Sequence, residues 1–253
     1  MNYFERKREL ENLEKEMAKE SNREARTISF EKLPEGVRGY YDPEYPDVIV
    51  TNKNMVKHDA NIYQSMRTVI HEGRHAYQDD VLKGRIEPKE TDKEKIESWK
   101  HNSREMGGHY IKYQDSPEKY RFQPKEEDAN NFASETMNSF NERFKNAPEY
   151  HKHINDYDKQ KQLDCRRAQF QLGENYRDKI AEELKEMYQQ KSPAQATNQQ
   201  QNASNKPTTA QEQKPLSPAV QKHIEKQAER DEKVKAFREA QGQNQDLTQG
   251  RGK

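Results

Sequence analysis

The segment His71-Glu72-Gly73-Arg74-His75 holds residue types at a spacing that suits chemistry. On a helix, four residues make a little more than one turn, so His71 and His75 project from one face and both imidazoles reach a single zinc ion. Glu72, one residue on, points beside the metal position. There a carboxylate takes a proton from zinc-held water instead of ligating the metal. The competing reading is a charged, solvated helix face. Val69-Ile70 before the motif and Ala76-Tyr77 after it argue against that. Burying two imidazoles and a carboxylate without a partner is costly. Gly73 costs about 1 kcal/mol inside a helix, which points to something packing closely there.

A catalytic zinc site takes three protein ligands and keeps one position open. The zincin class that continues His-x-x-Gly-x-x-His from the second histidine is excluded, because Gln78 and Val81 stand at those places. The leading third ligand is Glu126 in Pro124-Lys125-Glu126-Glu127-Asp128-Ala129-Asn130, one turn before a buried stripe. Asp128, His101 and His109 are the alternatives. Proline followed by acids also suits a plain helix N-terminus. An oxyanion donor is needed as well. His109, Tyr110, Tyr113 and Tyr120 are candidates for it, and Asn130 is a candidate for orienting a ligand.

His71-Glu72-x-x-His75 together with Glu126-x-Asp128-Ala129-Asn130-x-Phe132-Ala133 resembles the ImmA/IrrE-type zincin metallopeptidases. Tyr120-x-x-Gln123-Pro124-x-Glu126 also resembles zincin domains attached to bacterial toxins and effectors. The resemblance covers roughly residues 36–145. It implies that Glu126 completes the zinc site and that Ile49-Val50-Thr51-Asn52 is the short edge strand preceding the active-site helix. Three departures stand out. The family usually has glycine immediately before the second histidine, where this chain has Gly73-Arg74. Asp128 replaces a common glutamate. The separation of His75 from Glu126 is long, so residues 86–123 read as an insertion.

The elements that must position these residues are mostly helical. Residues 1–30 are charged, with Leu10, Leu13 and Met17 at helical spacing, and predict one amphipathic helix docked on the body. Val48-Ile49-Val50-Thr51 reads as a strand, with Gly39-Tyr40-Tyr41 as its hairpin partner. Ile62, Met66, Val69 and Ile70 predict a helix over 60–83, and Ala129, Phe132, Ala133, Met137, Phe140 and Phe144 predict a second buried face. Residues 86–123 read as helical pieces and loops, and 150–190 as charged helix. The expected fold is α+β, mainly helical and zincin-like, with a small sheet and a domain over 31–190. From about residue 191 the Gln/Asn/Ser/Pro-rich composition predicts a disordered tail with a possible short helix at 218–240.

Composition bounds the rest. The chain has 253 residues, 29% hydrophobic and 36% charged, too little apolar content for one core along its whole length. Lys plus Arg and Asp plus Glu are 45 each, which argues against a nucleic-acid binder. Arg166-Arg167 and Lys159-x-Lys161 are interleaved with acids and read as solvated face. No run suits a membrane span or a signal peptide, so the expected location is the producer's cytoplasm, with non-classical export as an effector the other option. Cys165 is the single cysteine, which excludes an intrachain disulfide and a cysteine-clustered zinc site. Gly250-Arg251-Gly252-Lys253 is a candidate tag. The expected function is a zinc-dependent endopeptidase acting on a protein substrate; the alternative is a zinc-stabilised binding or regulatory module without turnover.

Overall fold

A computed structural model describes residues 1–57, 60–89 and 93–201; the side chains of 192–201 are outside the description. Helix α1 (Tyr3–Glu20) starts at a capping box in which Asn2 and Glu5 exchange side-chain and backbone hydrogen bonds. It ends at Glu20, short of the expected residue 30, and Thr27–Glu31 forms strand β1 instead. The alternation Ile28/Phe30 is the strand signal that the helix reading overlooks. Strands β2 (Gly39–Tyr41) and β3 (Val48–Asn52) complete a sheet of order β1-β3-β2. The central β3 pairs parallel with β1 and antiparallel with β2, with Tyr40 opposite Val50.

A short 3-10 turn at Lys53–Val56 leads towards α2 (Ile62–Leu82), whose first turn is capped by Asn61 accepting from the Tyr63 N–H. Helices α3 (Lys93–His101) and α4 (Pro117–Phe122) follow with loops between them. Helix α5 (Pro124–Ser139) opens on Pro124, which needs no N–H partner at that position. Helix α6 (Pro148–Leu172) ends at Gly173, and α7 (Tyr176–Gln201) follows. Helix α7 runs through residues 192–201, which composition assigns to the tail. The expected helix at 218–240 and the C-terminal Gly250–Lys253 lie outside the described residues. No helix among the described residues is long and apolar enough to cross a membrane.

The main core gathers Leu10, Leu13 and Met17 from α1, Met66, Val69 and Ile70 from α2, and Ala133 and Met137 from α5. Each large side chain buried there is worth about 1.5–3 kcal/mol relative to exposure. The N-terminal helix thus docks on the body. Phe140 and Phe144 fall beyond the end of α5 but still pack against this core. A second cluster joins Ile111 and Phe122 to Ala168, Tyr176, Ile180 and Leu184. The overall class is α+β and mainly helical.

Candidate metal centre

Helix α2 presents His71 and His75 one turn apart towards the start of α5. Their Nε2 atoms are 3.2 Å from each other. Glu126, in the first turn of α5, closes the triangle: Oε1 lies 3.0 Å from His75 Nε2 and Oε2 lies 3.5 Å from His71 Nε2. Donors placed tetrahedrally at about 2.0–2.2 Å from zinc stand roughly 3.3–3.6 Å from one another. The two separations at His75 are slightly shorter than that, and the one from His71, measured to the other carboxylate oxygen, falls within it.

Hydrogen bonds fix where the lone pairs point. Gln78 is fully buried, and its Nε2 donates to the Lys125 carbonyl at 3.0 Å and to Asp128 Oδ2 at 2.7 Å. Its Oε1 is therefore an acceptor, and it receives His75 Nδ1–H at 2.9 Å. With the proton held on Nδ1, His75 Nε2 turns a lone pair towards the Glu126 carboxylate and His71. Three electron-rich atoms at this range need a shared proton or a cation between them. Two imidazoles and a carboxylate are the N,N,O donor set of a catalytic metal site, so the residues fit the group. Burial alone would raise the Glu126 carboxyl, but His75 and His71 beside it hold it well below the usual range.

Glu72 stands beside the triangle. Ligand atoms of His71, Glu72 and His75 all fall within 4.8 Å of one another. Burial pushes the Glu72 carboxyl up to about 7; His71 opposes this, Glu126 adds to it, and a hydrogen bond from the Tyr41 backbone N–H opposes it. That N–H comes from β2, which can approach α2 only because of Gly39. A Cβ there would sit 2.7 Å from the Val50 carbonyl oxygen and 2.8 Å from Thr68 Cγ2. Gly73 has a comparable reason. A Cβ would meet Arg23 Nη2 at 2.8 Å and Glu14 Oε2 at 3.0 Å, the two sides of a buried ion pair.

The 86–123 segment reaches back to the centre. Gln123 and Asn102, both fully buried, clamp the loop before α4. Gln123 Oε1 accepts from Ile111 N–H at 2.9 Å and from Asn102 Nδ2 at 2.7 Å, and its Nε2 donates to the Ile111 carbonyl. Asn102 Oδ1 in turn accepts from Lys125 N–H. This clamp sets Tyr110 so that its hydroxyl donates to Glu126 Oε1 at 2.5 Å. Tyr120 shares hydrogen bonds with Tyr110 and Glu126 and is close enough to Glu72 for its charge to be felt. Burial, and then Glu126, raises both phenols above the ordinary tyrosine value.

The other sequence candidates are placed elsewhere. Asp128 is no ligand: it pairs with Arg74 at 2.7 Å and Lys95 at 2.6 Å. His101 stacks on the Tyr188 ring. His109 takes part through its backbone, donating to the His101 carbonyl and accepting from Asn102. Tyr113 is 51% exposed and packs edge-on against Tyr120. Asn130 enters through its main-chain carbonyl, which accepts from Arg67 and Ser134. Gln78, Gln123 and Asn102 are the supporting residues that spacing does not reveal, since their partners are distant backbone groups. A cavity of about 860 Å³ lies away from the triangle, on the side of Arg74, Trp99 and Phe132, and none of His71, Glu72, His75 and Glu126 lines it. No protein-family model, curated protein or solved structure matches this chain.

Proposed function

We propose that this chain is a zinc-dependent endopeptidase of zincin-like architecture, hydrolysing a peptide bond in a protein substrate. The observation that carries the reading is the His71–His75–Glu126 triangle with the Glu72 carboxylate at its side. The motif resemblance to ImmA/IrrE-type metallopeptidases supports the same assignment. His71 Nε2, His75 Nε2 and a Glu126 oxygen would hold the ion. Zinc, when bound, lowers the pKa of a water and polarises a carbonyl.

The chain supplies the rest. Glu72 takes the proton of the attacking water at a carboxylate oxygen as the water's oxygen bonds to the scissile carbon. It returns that proton to the departing amine nitrogen as the C–N bond breaks. Burial pushes the Glu72 carboxyl up despite the opposing His71, and a carboxyl raised in this way suits proton transfer. Tyr120, which feels the charge of both Glu126 and Glu72, would donate to the carbonyl oxygen as charge develops there. Tyr110 steadies Glu126 through the hydrogen bond to Oε1.

The test pairs zinc stoichiometry with turnover. Purified protein is expected to hold about one zinc per chain, lost in His75→Ala and Glu126→Ala. Glu72→Gln is expected to keep the metal and lose hydrolysis of a casein or peptide-library substrate. Turnover retained by Glu72→Gln rejects the mechanism. A second reading, a zinc-stabilised module without turnover, draws on the cavity lying away from the triangle. It predicts zinc binding with no cleavage by either protein.

A further inference from the structure

Strand β2 and helix α2 run side by side, and successive β2 positions meet successive turns. With the Gln64 amide oriented to accept, Arg38 Nη2 and Nε lie 2.9 and 3.2 Å from its oxygen. Gly39 meets Thr68, and the Tyr41 N–H meets Glu72. Arg67 stands one turn before His71, about 6 Å along the axis, on the face that also carries His75. Arg121 directly follows Tyr120. Arg67 thus stands one helical turn from His71, and Arg38, just before β2, meets the same helix at Gln64, one turn before Arg67 and Thr68.

The charge of Arg67 is poorly answered. Arg23, Arg26 and Arg74 are as buried as Arg67, and each holds a carboxylate at 2.6–2.7 Å. Arg67 is 6% exposed and holds none. It donates to Ser134 Oγ and to the Asn130 carbonyl, both at 3.2 Å, and its guanidinium lies 3.1 Å over the Tyr157 ring. A guanidinium has five N–H donors, so these contacts leave donors to spare. Arg38 has the Gln64 amide, and Arg121 has Asp164 as an ion-pair partner. Asp158 lies near enough to Arg67 to favour its charge but makes no ion pair with it. His153 adds no charge near neutrality: burial, then Arg67 and Arg38, hold its imidazole down to about 4. Burial and the neighbouring arginines likewise lower Arg38 and Arg67, the latter to about 10. A buried cation without a carboxylate is costly, and planar guanidinium groups match carboxylates two donors at a time.

We propose that Arg38 and Arg67 form an anion-binding subsite beside the His71–His75–Glu126 centre, and that it receives a carboxylate of the bound peptide. The inference rests on the peptidase reading for its ligand, a peptide, and not on the metal. The carboxylate has two possible sources, an acidic side chain or the free end of a chain. The choice decides whether the site prefers acidic sequences or the ends of polypeptides.

The experiment uses the full chain carrying Glu72→Gln and three twelve-residue Ala/Ser peptides with a neutral dye. One has a central glutamate and blocked ends, the second has glutamine in its place, and the third is the glutamine peptide with a free C-terminal carboxylate. Affinity is read by fluorescence anisotropy, with zinc and again with excess chelator. A carboxylate-bearing peptide is expected to bind about tenfold or more tighter than the blocked glutamine peptide. Preference for the glutamate peptide identifies a side-chain carboxylate; preference for the third identifies a chain end. The preference is expected to fall to within about twofold in Arg38→Gln, which alters an exposed residue, and in Arg67→Gln where that variant retains its unfolding midpoint. Equal affinity for all three peptides, no measurable binding, or an unchanged preference in Arg38→Gln overturns the subsite. Discrimination that survives the chelator in a chain that takes up no zinc rejects the peptidase reading and leaves the subsite standing. Zinc-dependent cleavage of these peptides by the wild-type chain, without discrimination in Glu72→Gln, does the reverse.

Discussion

Replacing Gln78 by methionine keeps the length of the side chain and removes its amide. The amide makes three buried contacts: it accepts from His75 Nδ1–H at 2.9 Å and donates to the Lys125 carbonyl at 3.0 Å and to Asp128 Oδ2 at 2.7 Å. Asp128 retains Arg74 and Lys95. His75 Nδ1–H loses its partner, at about 1–3 kcal/mol, and the Lys125 carbonyl loses one hydrogen bond, at about 0.5–1.5 kcal/mol, so the metal-free protein is expected to lose about 1.5–4.5 kcal/mol. Zinc affinity is expected to fall a further 10- to 100-fold or so, because nothing then keeps the proton on Nδ1 and the lone pair on Nε2. Chelator competition gives the zinc affinity, and urea denaturation of the chelated protein gives the stability. Separate readings keep a folding defect from passing as a metal defect. Gln78→Glu supplies the contrast. Its carboxylate still accepts from His75 but faces two acceptors, so stability is expected to drop while zinc affinity stays near wild type. If Gln78→Met binds zinc within about twofold of wild type, the tautomer argument is wrong.

Two further perturbations test the positioning of the site. Gly39→Ala places a Cβ 2.7 Å from the Val50 carbonyl oxygen of β3 and 2.8 Å from Thr68 Cγ2 of α2, so β2 must shift from its seat between the two. The expected outcome is a loss of about 1–3 kcal/mol and faster hydrogen exchange at the Tyr41 amide; unchanged exchange contradicts the close approach. His153 tests the arginine cluster through pH. Its folded value is depressed from 6.5 to about 4, so its contribution is fully present above 6.5 and is lost as pH falls towards 4. His153→Gln is therefore expected to narrow the gap between urea midpoints measured at pH 7 and pH 4.5, and an unchanged gap argues against the depressed value.

Local spacing carried the part of the site that lies within single helices. His71 and His75 are legible because one turn of helix is a fixed geometric unit. Glu126 is legible as the acid preceding the buried Ala129 and Ala133 stripe. The supporting contacts are not of that kind. Gln78 matters through the carbonyl of Lys125, and Gln123 through both backbone groups of Ile111; any residue can supply a carbonyl, so composition holds no trace of the pairing. Asn130 shows the converse. Its amide suggests a polar role, yet its carbonyl makes the contacts to Arg67 and Ser134. Among the elements, β1 is hidden because five residues with two inward side chains resemble the frayed end of the preceding charged helix. Its pairing with β3 becomes visible only when the two strands are laid together.

In the sequence Arg74 and Asp128 stand more than fifty positions apart, one in each motif. In the fold they are a single contact. Arg74 Nε donates to Asp128 Oδ2 at 2.7 Å and Nη2 donates to Oδ1 at 3.2 Å, while the guanidinium packs over Tyr77, Trp99 and Phe132. The pair also reaches the centre. Asp128 Oδ2 accepts from Gln78 Nε2, Gln78 Oε1 holds the proton of His75, and His75 Nε2 faces Glu126. The clasp between α2 and α5 therefore ends at a candidate metal ligand. An ion pair at a helix crossing acts here as the anchor that fixes the imidazole's tautomer and ring orientation.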